Sequence, residues 1–130
     1  MNSRILVADD DEGLRHLLRL ILAREGFEVF EAANGEQALA LALIVDPAVI
    51  LLDVMMPGLD GYDVCRRLKS DQRTGNVPVV FVSAAEDVYR RNEAQQLGAA
   101  ACIQKPIGPR ELVARIKLVM NRRNGTVPAA

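Results

Sequence analysis

Three aspartates, a serine and a lysine stand just past the ends of short apolar runs in this chain. Ile5–Ala8 is followed by Asp9-Asp10, Val49–Leu52 by Asp53, Val77–Val82 by Ser83, and Ala99–Ile103 by Lys105 after Gln104. Taken singly, each is an ordinary turn former or helix cap. If the runs are neighbouring parallel strands, the same residues open onto one edge of a sheet and share a pocket. Two carboxylates about 4 Å apart repel by roughly 4 kcal/mol at an effective dielectric near 20. Three would raise their own pKa values unless cations lie between them. Lys105 supplies one positive charge and a divalent ion would supply two, which balances three carboxylates. Hard oxygens with no His or Cys nearby favour magnesium, with manganese as its substitute.

A carboxylate in such a pocket can attack a phosphoryl group and form an acyl phosphate. Metal and lysine would offset the charge on the phosphoryl oxygens, and a serine hydroxyl could bond one of them. Asp53 is the candidate nucleophile, because it ends the run expected to be the central strand, Val49–Leu52, and abuts the Pro57-Gly58 loop. Asp9 and Asp10 are then candidate metal ligands.

The elements that must position these residues follow from periodicity. Five apolar runs alternate with five amphipathic stretches. Leu14, Leu17, Leu18, Ile21 and Leu22 repeat at helical spacing up to Gly26. Phe27 to Glu31 reads as a second strand, and Asn34-Gly35 opens a second helix that Asp46-Pro47 stops near Val45. Val49–Leu52 reads as a central strand covered on both faces. Asp60 begins a third helix, Glu86 to Leu97 a fourth, and Pro109 a fifth with Leu112, Val113, Ile116, Val119 and Met120 on one side. Asp11 is expected to cap the first helix, its charge meeting the positive end of the dipole. The expected architecture is α/β: a doubly wound, five-stranded parallel sheet with five helices and strand order 2-1-3-4-5, its crevice where strands one and three meet.

Composition narrows the function. With 130 residues, half of them hydrophobic, the chain suits one domain, taken here as 1–123 with 124–130 a tail or linker stub. Sixteen basic against seventeen acidic residues argue against direct nucleic-acid binding by this domain. The longest apolar run, Ala38 to Val45, is far shorter than the ~18 residues of a membrane helix. The N-terminus has no signal-peptide layout, so a cytoplasmic protein is expected. Cys65 and Cys102 lack metal-ligand spacing and read as reduced core residues; His16 reads as a solvated surface residue.

The set Asp9-Asp10, Asp53 with Met55-Met56-Pro57-Gly58 and Asp60-Gly61, Ser83-Ala84, and Lys105-Pro106 resembles the receiver domain of two-component response regulators, the CheY-like superfamily. The likeness runs from Arg4 to about Arg122 and implies the flavodoxin-like order already expected. It implies that Asp53 accepts a phosphoryl group from a sensor histidine kinase or histidine phosphotransfer protein, with magnesium required, and that the change is read by an effector domain or target. Asp10, Asp53 and the backbone carbonyl of Met55 would bind the metal directly, and Asp9 through water. Lys105 would pair with Asp53 and then with the phosphoryl group, Ser83 would move toward it, and the Lys105–Pro106 bond would be cis. Such a domain is a phosphoacceptor rather than an enzyme, catalysing only its own phosphorylation and slow dephosphorylation. With no effector domain in the chain, it reads as a stand-alone receiver or a piece of a longer protein.

Some positions depart from the family pattern. Cys102 replaces a frequent aromatic, which removes any aromatic rotamer switch there, and Ile107 replaces a frequent phenylalanine. Ala99-Ala100-Ala101 replaces the acidic residues of relatives that dimerise through the fourth helix, fifth strand and fifth helix, which puts that dimer in question. Two rivals use similar residues. A haloacid dehalogenase-type phosphohydrolase would carry a second aspartate two residues after the nucleophile, where this chain has Met55. A pseudo-receiver would lack the intact Asp10, Asp53 and Lys105. Met55 and Ala85 occupy positions that influence attacking water in the family, and neither side chain can orient a water strongly. The phosphorylated form is therefore expected to be long-lived. Met55→Asn should shorten its half-life in a phosphate-release time course, and an unchanged half-life would count against this reading.

Overall fold

Asp53 lies at the end of a strand buried along its whole length. The computed structural model describes residues 2–84 and 91–123. The chain alternates β1 (Arg4–Ala8), α1 (Glu12–Arg24), β2 (Glu28–Ala32), α2 (Gly35–Val45), β3 (Val49–Asp53), α3 (Gly61–Ser70), β4 (Val79–Ser83), α4 (Arg91–Gln96), β5 (Ala101–Gln104) and α5 (Pro109–Arg123). All strand pairs are parallel, in the order β2-β1-β3-β4-β5. This is the doubly wound arrangement that the alternation predicts.

The three inner strands are apolar on both faces because each face meets helices. Leu6, Ile50, Leu52, Val79 and Phe81 join α2 and α3 residues such as Ala38, Val64 and Leu68 in one core. Ile5, Val7, Val49, Leu51 and Val80 pack with Leu18 and Leu22 of α1 and Leu112 and Ile116 of α5 in the other. Each such fully buried aliphatic side chain contributes about 1.5–3 kcal/mol. Together they outweigh the few kcal/mol of carboxylate repulsion that the sheet's edge must carry. Asp53 follows the parity of Val49 and Leu51 out of this core.

Helix starts are fixed by side chains that bond the orphan amides of the first turn. Asp11 accepts from Leu14 N as expected, and Asn34 accepts from Gln37 N. Asp60 and Asp63 form a reciprocal capping box. The α2 carboxyl end closes on Asp46 at φ 50, a left-handed cap. Its carbonyl and that of Val45 accept hydrogen bonds from Asn2 and Arg4. Among the described residues, no helix is long and apolar enough to cross a membrane.

Boundaries shift by one or two residues for local reasons. Phe27 is tied to the end of α1 through Leu22 O, so β2 begins at Glu28 and runs to Ala32. Pro78 lacks an N–H, so β4 starts at Val79 and takes in Ser83 rather than stopping before it. Ala99 N bonds back to Ala94 O, which delays β5 to Ala101 and extends it to Gln104. The first part of the expected fourth helix and the expected tail at 124–130 lie outside the described residues, as does Ala85.

The start of α3 is pressed onto the end of β3. Gly61 N donates to Val54 O at 2.9 Å. A Cβ at Gly61 would collide with the backbone carbonyl of Asp53 and come within 2.9 Å of Val54 Cα. Backbone atoms there cannot yield without moving the strand end. Gly61→Ala should cost about 1–3 kcal/mol in urea unfolding, and a neutral result would show that the approach is looser than described.

Candidate functional site

The carboxyl ends of β1 and β3 are neighbours, which puts Asp9, Asp10 and Asp53 together. One carboxylate oxygen from each lies within 4.8 Å of the others. Among the described residues no second such group of acidic, His or Cys side chains occurs. Asp9 and Asp53 are buried, at 2% and 5% exposure, while Asp10 is exposed. Lys105 arrives from the end of β5, its Nζ 3.4 Å from Asp53 Oδ1 and 3.5 Å from Asp9 Oδ2. The lysine is thus shared between two acids rather than paired with Asp53 alone.

Short main-chain bonds hold these groups. Lys105 N donates to Ser83 O at 2.7 Å, so the β4–β5 ladder carries the lysine to the edge. The Lys105–Pro106 peptide is cis, as the resemblance implies. Asp9 Oδ1 accepts from Asp11 N at 2.9 Å, and Asp53 Oδ1 accepts from Met55 N at 3.3 Å. Ser83 is buried at the end of β4, one residue past Val82, the partner of Asp53. Met55 is 59% exposed on the following loop. Cys102 pairs with Phe81 across β4–β5 and is half-buried against the core that holds Cys65. Burial pushes the Cys65 thiol up, in keeping with an inert core residue.

Burial and the neighbouring Asp9 charge push the Asp53 carboxyl up to about 6, against the opposing pull of Lys105 and the Met55 amide. One lysine does not neutralise this pocket. The donor set, three hard carboxylates converging without a soft ligand, fits a divalent cation of the magnesium class.

A sequence profile of the response regulator receiver domain matches residues 5–117. The chain belongs to the response regulator receiver domain family. It is the receiver domain of a two-component system. Transcriptional regulatory protein SrrA of Staphylococcus aureus is 39% identical over 126 residues, which are 97% of this chain and 51% of SrrA. The chain thus spans about half the length of the curated relatives it matches. A CheY-like receiver domain protein from Methanospirillum hungatei superposes with a TM-score of 0.89 at 26% identity, covering 96% of this receiver and 98% of its own chain. The Francisella response regulator 1452 receiver domain gives 0.84 at 30% identity, covering 93% and 98%.

Sequence reasoning missed a second ionic group beside the pocket. Glu31 at the end of β2 is approached by Arg15 Nε at 3.0 Å, Arg19 Nη1 at 3.0 Å and His16 Nδ1 at 3.2 Å. His16 is therefore half-exposed but partnered, not simply solvated. Only half of the signal lay in the sequence, where Arg15 and Arg19 share a helix face; the β1–β2 register that sets Glu31 opposite Val7, two residues before Asp9, is given by the structure. Burial works to raise the Glu31 carboxyl, but Arg19, His16 and Arg15 together hold it below the ordinary range.

Because Asp53 binds its proton more tightly folded than unfolded, its own contribution to stability falls as pH rises from about 4 to about 6. Above that range the charged form is a standing penalty in metal-free solution. Asp53→Asn should therefore raise the melting temperature by about 4 °C or more at about pH 7.5 without divalent ions. That gain should shrink steadily as the pH is lowered from about 6 to about 4. An Asn variant that melts no higher at about pH 7.5 would show that the three carboxylates do not crowd one another.

Proposed function

We propose that this receiver accepts a phosphoryl group on Asp53 from a phosphohistidine of a partner kinase or phosphotransfer protein, and signals to an effector through the resulting change. The convergence of Asp9, Asp10, Asp53 and Lys105 at one sheet edge carries this reading. An Asp53 oxygen attacks phosphorus, the P–N bond breaks, and the imidazole leaves with its electron pair and takes a proton. Lys105 stays beside the acceptor and meets charge that develops on the phosphoryl oxygens. The Ser83 hydroxyl, at the neighbouring strand end, is the donor for one of those oxygens.

Asp10, Asp53 and the Met55 carbonyl would hold magnesium, with Asp9 acting through water. The bound ion supplies electrostatic stabilisation of the transferring group. An apolar groove of about 540 Å³, lined by Leu14, Leu17, Leu18, Ile21, Pro106 and Ile107 among others, opens beside Lys105. It gives a donor protein surface to rest on while its phosphoryl group reaches the pocket. Phosphorylation adds roughly one negative charge, which biases a two-state equilibrium only if one state holds that charge better.

Incubation with acetyl phosphate or beryllofluoride plus magnesium should give one adduct, seen by intact mass or by fluorine NMR respectively. Asp53→Asn should abolish it. Multiple turnover of a phosphate ester would favour a hydrolase instead, and no adduct under any condition would favour a receiver that binds without being phosphorylated.

A further inference from the structure

We propose that Arg15 and Glu31 are positioning residues for the acidic pocket, locking the Asp9–Asp10 peptide so that its two carboxylates converge on one divalent cation. This rests on the cation reading of the pocket given above. Arg15 spans two elements with one planar group. Its Nε meets Glu31 Oε1 on β2 at 3.0 Å, and its Nη1 donates to the Asp9 carbonyl at 2.9 Å. Both side chains are largely enclosed, at 13% and 12% exposure, which sets this pair apart from the exposed ion pairs elsewhere on the surface.

The carbonyl that Arg15 grips belongs to the peptide plane joining Asp9 to Asp10. A peptide is planar, so fixing its oxygen fixes the plane from which Asp10 projects. The other polar groups of Asp9 are also held: its N–H by Ala32 O, its carboxylate by Asp11 N and Lys105. Asp10 is exposed, and its carboxylate depends on the preceding peptide for its direction. A guanidinium beside a cation site is repulsive taken alone. Glu31, aligned by Arg19 and His16, offsets that charge while orienting the fork.

Charge and position make opposite demands, which allows a clean test. Removing Arg15 leaves the neighbourhood more negative, so a purely electrostatic role would tighten cation binding in Arg15→Met. A positioning role weakens it. Arg15→Lys keeps the charge but cannot reach both Glu31 and the Asp9 carbonyl with a rigid fork.

Magnesium chloride is titrated calorimetrically into the wild type, Arg15→Met, Arg15→Lys, Glu31→Gln and Arg19→Met, with amide NMR spectra confirming the native fold. Binding should weaken about tenfold in the two Arg15 variants and in Glu31→Gln. Arg19→Met, which leaves the Asp9 carbonyl contact in place, should stay within about twofold of wild type. In a double variant, Glu31→Gln should add nothing to Arg15→Met, because it acts through Arg15. Should Arg15→Met fail to fold, Arg15→Lys, which keeps the charge and loses the fork, still separates position from charge. Wild-type affinity in Arg15→Lys, or tighter binding in Arg15→Met, would overturn the inference while leaving the cation reading intact. A wild type that takes up no magnesium would overturn both.

Discussion

Repulsion among carboxylates at one sheet edge is the constraint around which this receiver is organised. Asp9 and Asp53 are buried, Asp10 lies beside them, and a single ammonium is shared between the two buried acids. Such a group is unstable toward protonation, as the raised Asp53 carboxyl indicates. The same imbalance makes the pocket receptive to a divalent cation, and it fits an acceptor whose charge state matters to signalling. Structure elsewhere in the chain can be understood as holding that unfavourable arrangement still.

Two cores do most of the holding. Inner strands buried on both faces leave Asp53 no freedom to withdraw, and the strand's end is pinned from outside by Gly61 at the start of α3. Lys105 is delivered by a backbone bond to Ser83, so its reach is set by the β4–β5 register rather than by chance side-chain packing. Arg15 and Glu31 add a polar brace on the opposite flank, tying α1 and β2 to the Asp9 carbonyl. The repulsive group is thus confined by apolar packing below and by directional hydrogen bonds around its rim.

Much of this was legible in the sequence because two periodicities and a few stop signals suffice for alternating parallel units. Val49–Leu52 could hardly be anything but a two-sided central strand, and Asp11 before a leucine stripe is a strong cap. Residues at strand ends could be gathered in advance because parallel strands share one carboxyl edge. What escaped was lateral. The lysine's second partner, Asp9, depends on the exact reach of a flexible side chain. Glu31 reads locally as one polar residue in an alternating strand; only the β1–β2 register brings it beside the pocket. Strand limits at Val79 and Ala101 slipped because Pro78 lacks an amide donor and Ala99 is captured by the preceding helix. The left-handed Asp46 likewise depends on Asn2 and Arg4, more than forty residues away.

The carbon-13 shift of the Asp53 carboxyl, followed through a pH titration with and without millimolar magnesium, tests this picture most directly. The expected result is a midpoint near 6 in the metal-free protein, falling below the ordinary carboxylate range once the ion is present. A midpoint already at the ordinary value, or one that magnesium leaves in place, would show that the three acids do not share a charge-starved pocket.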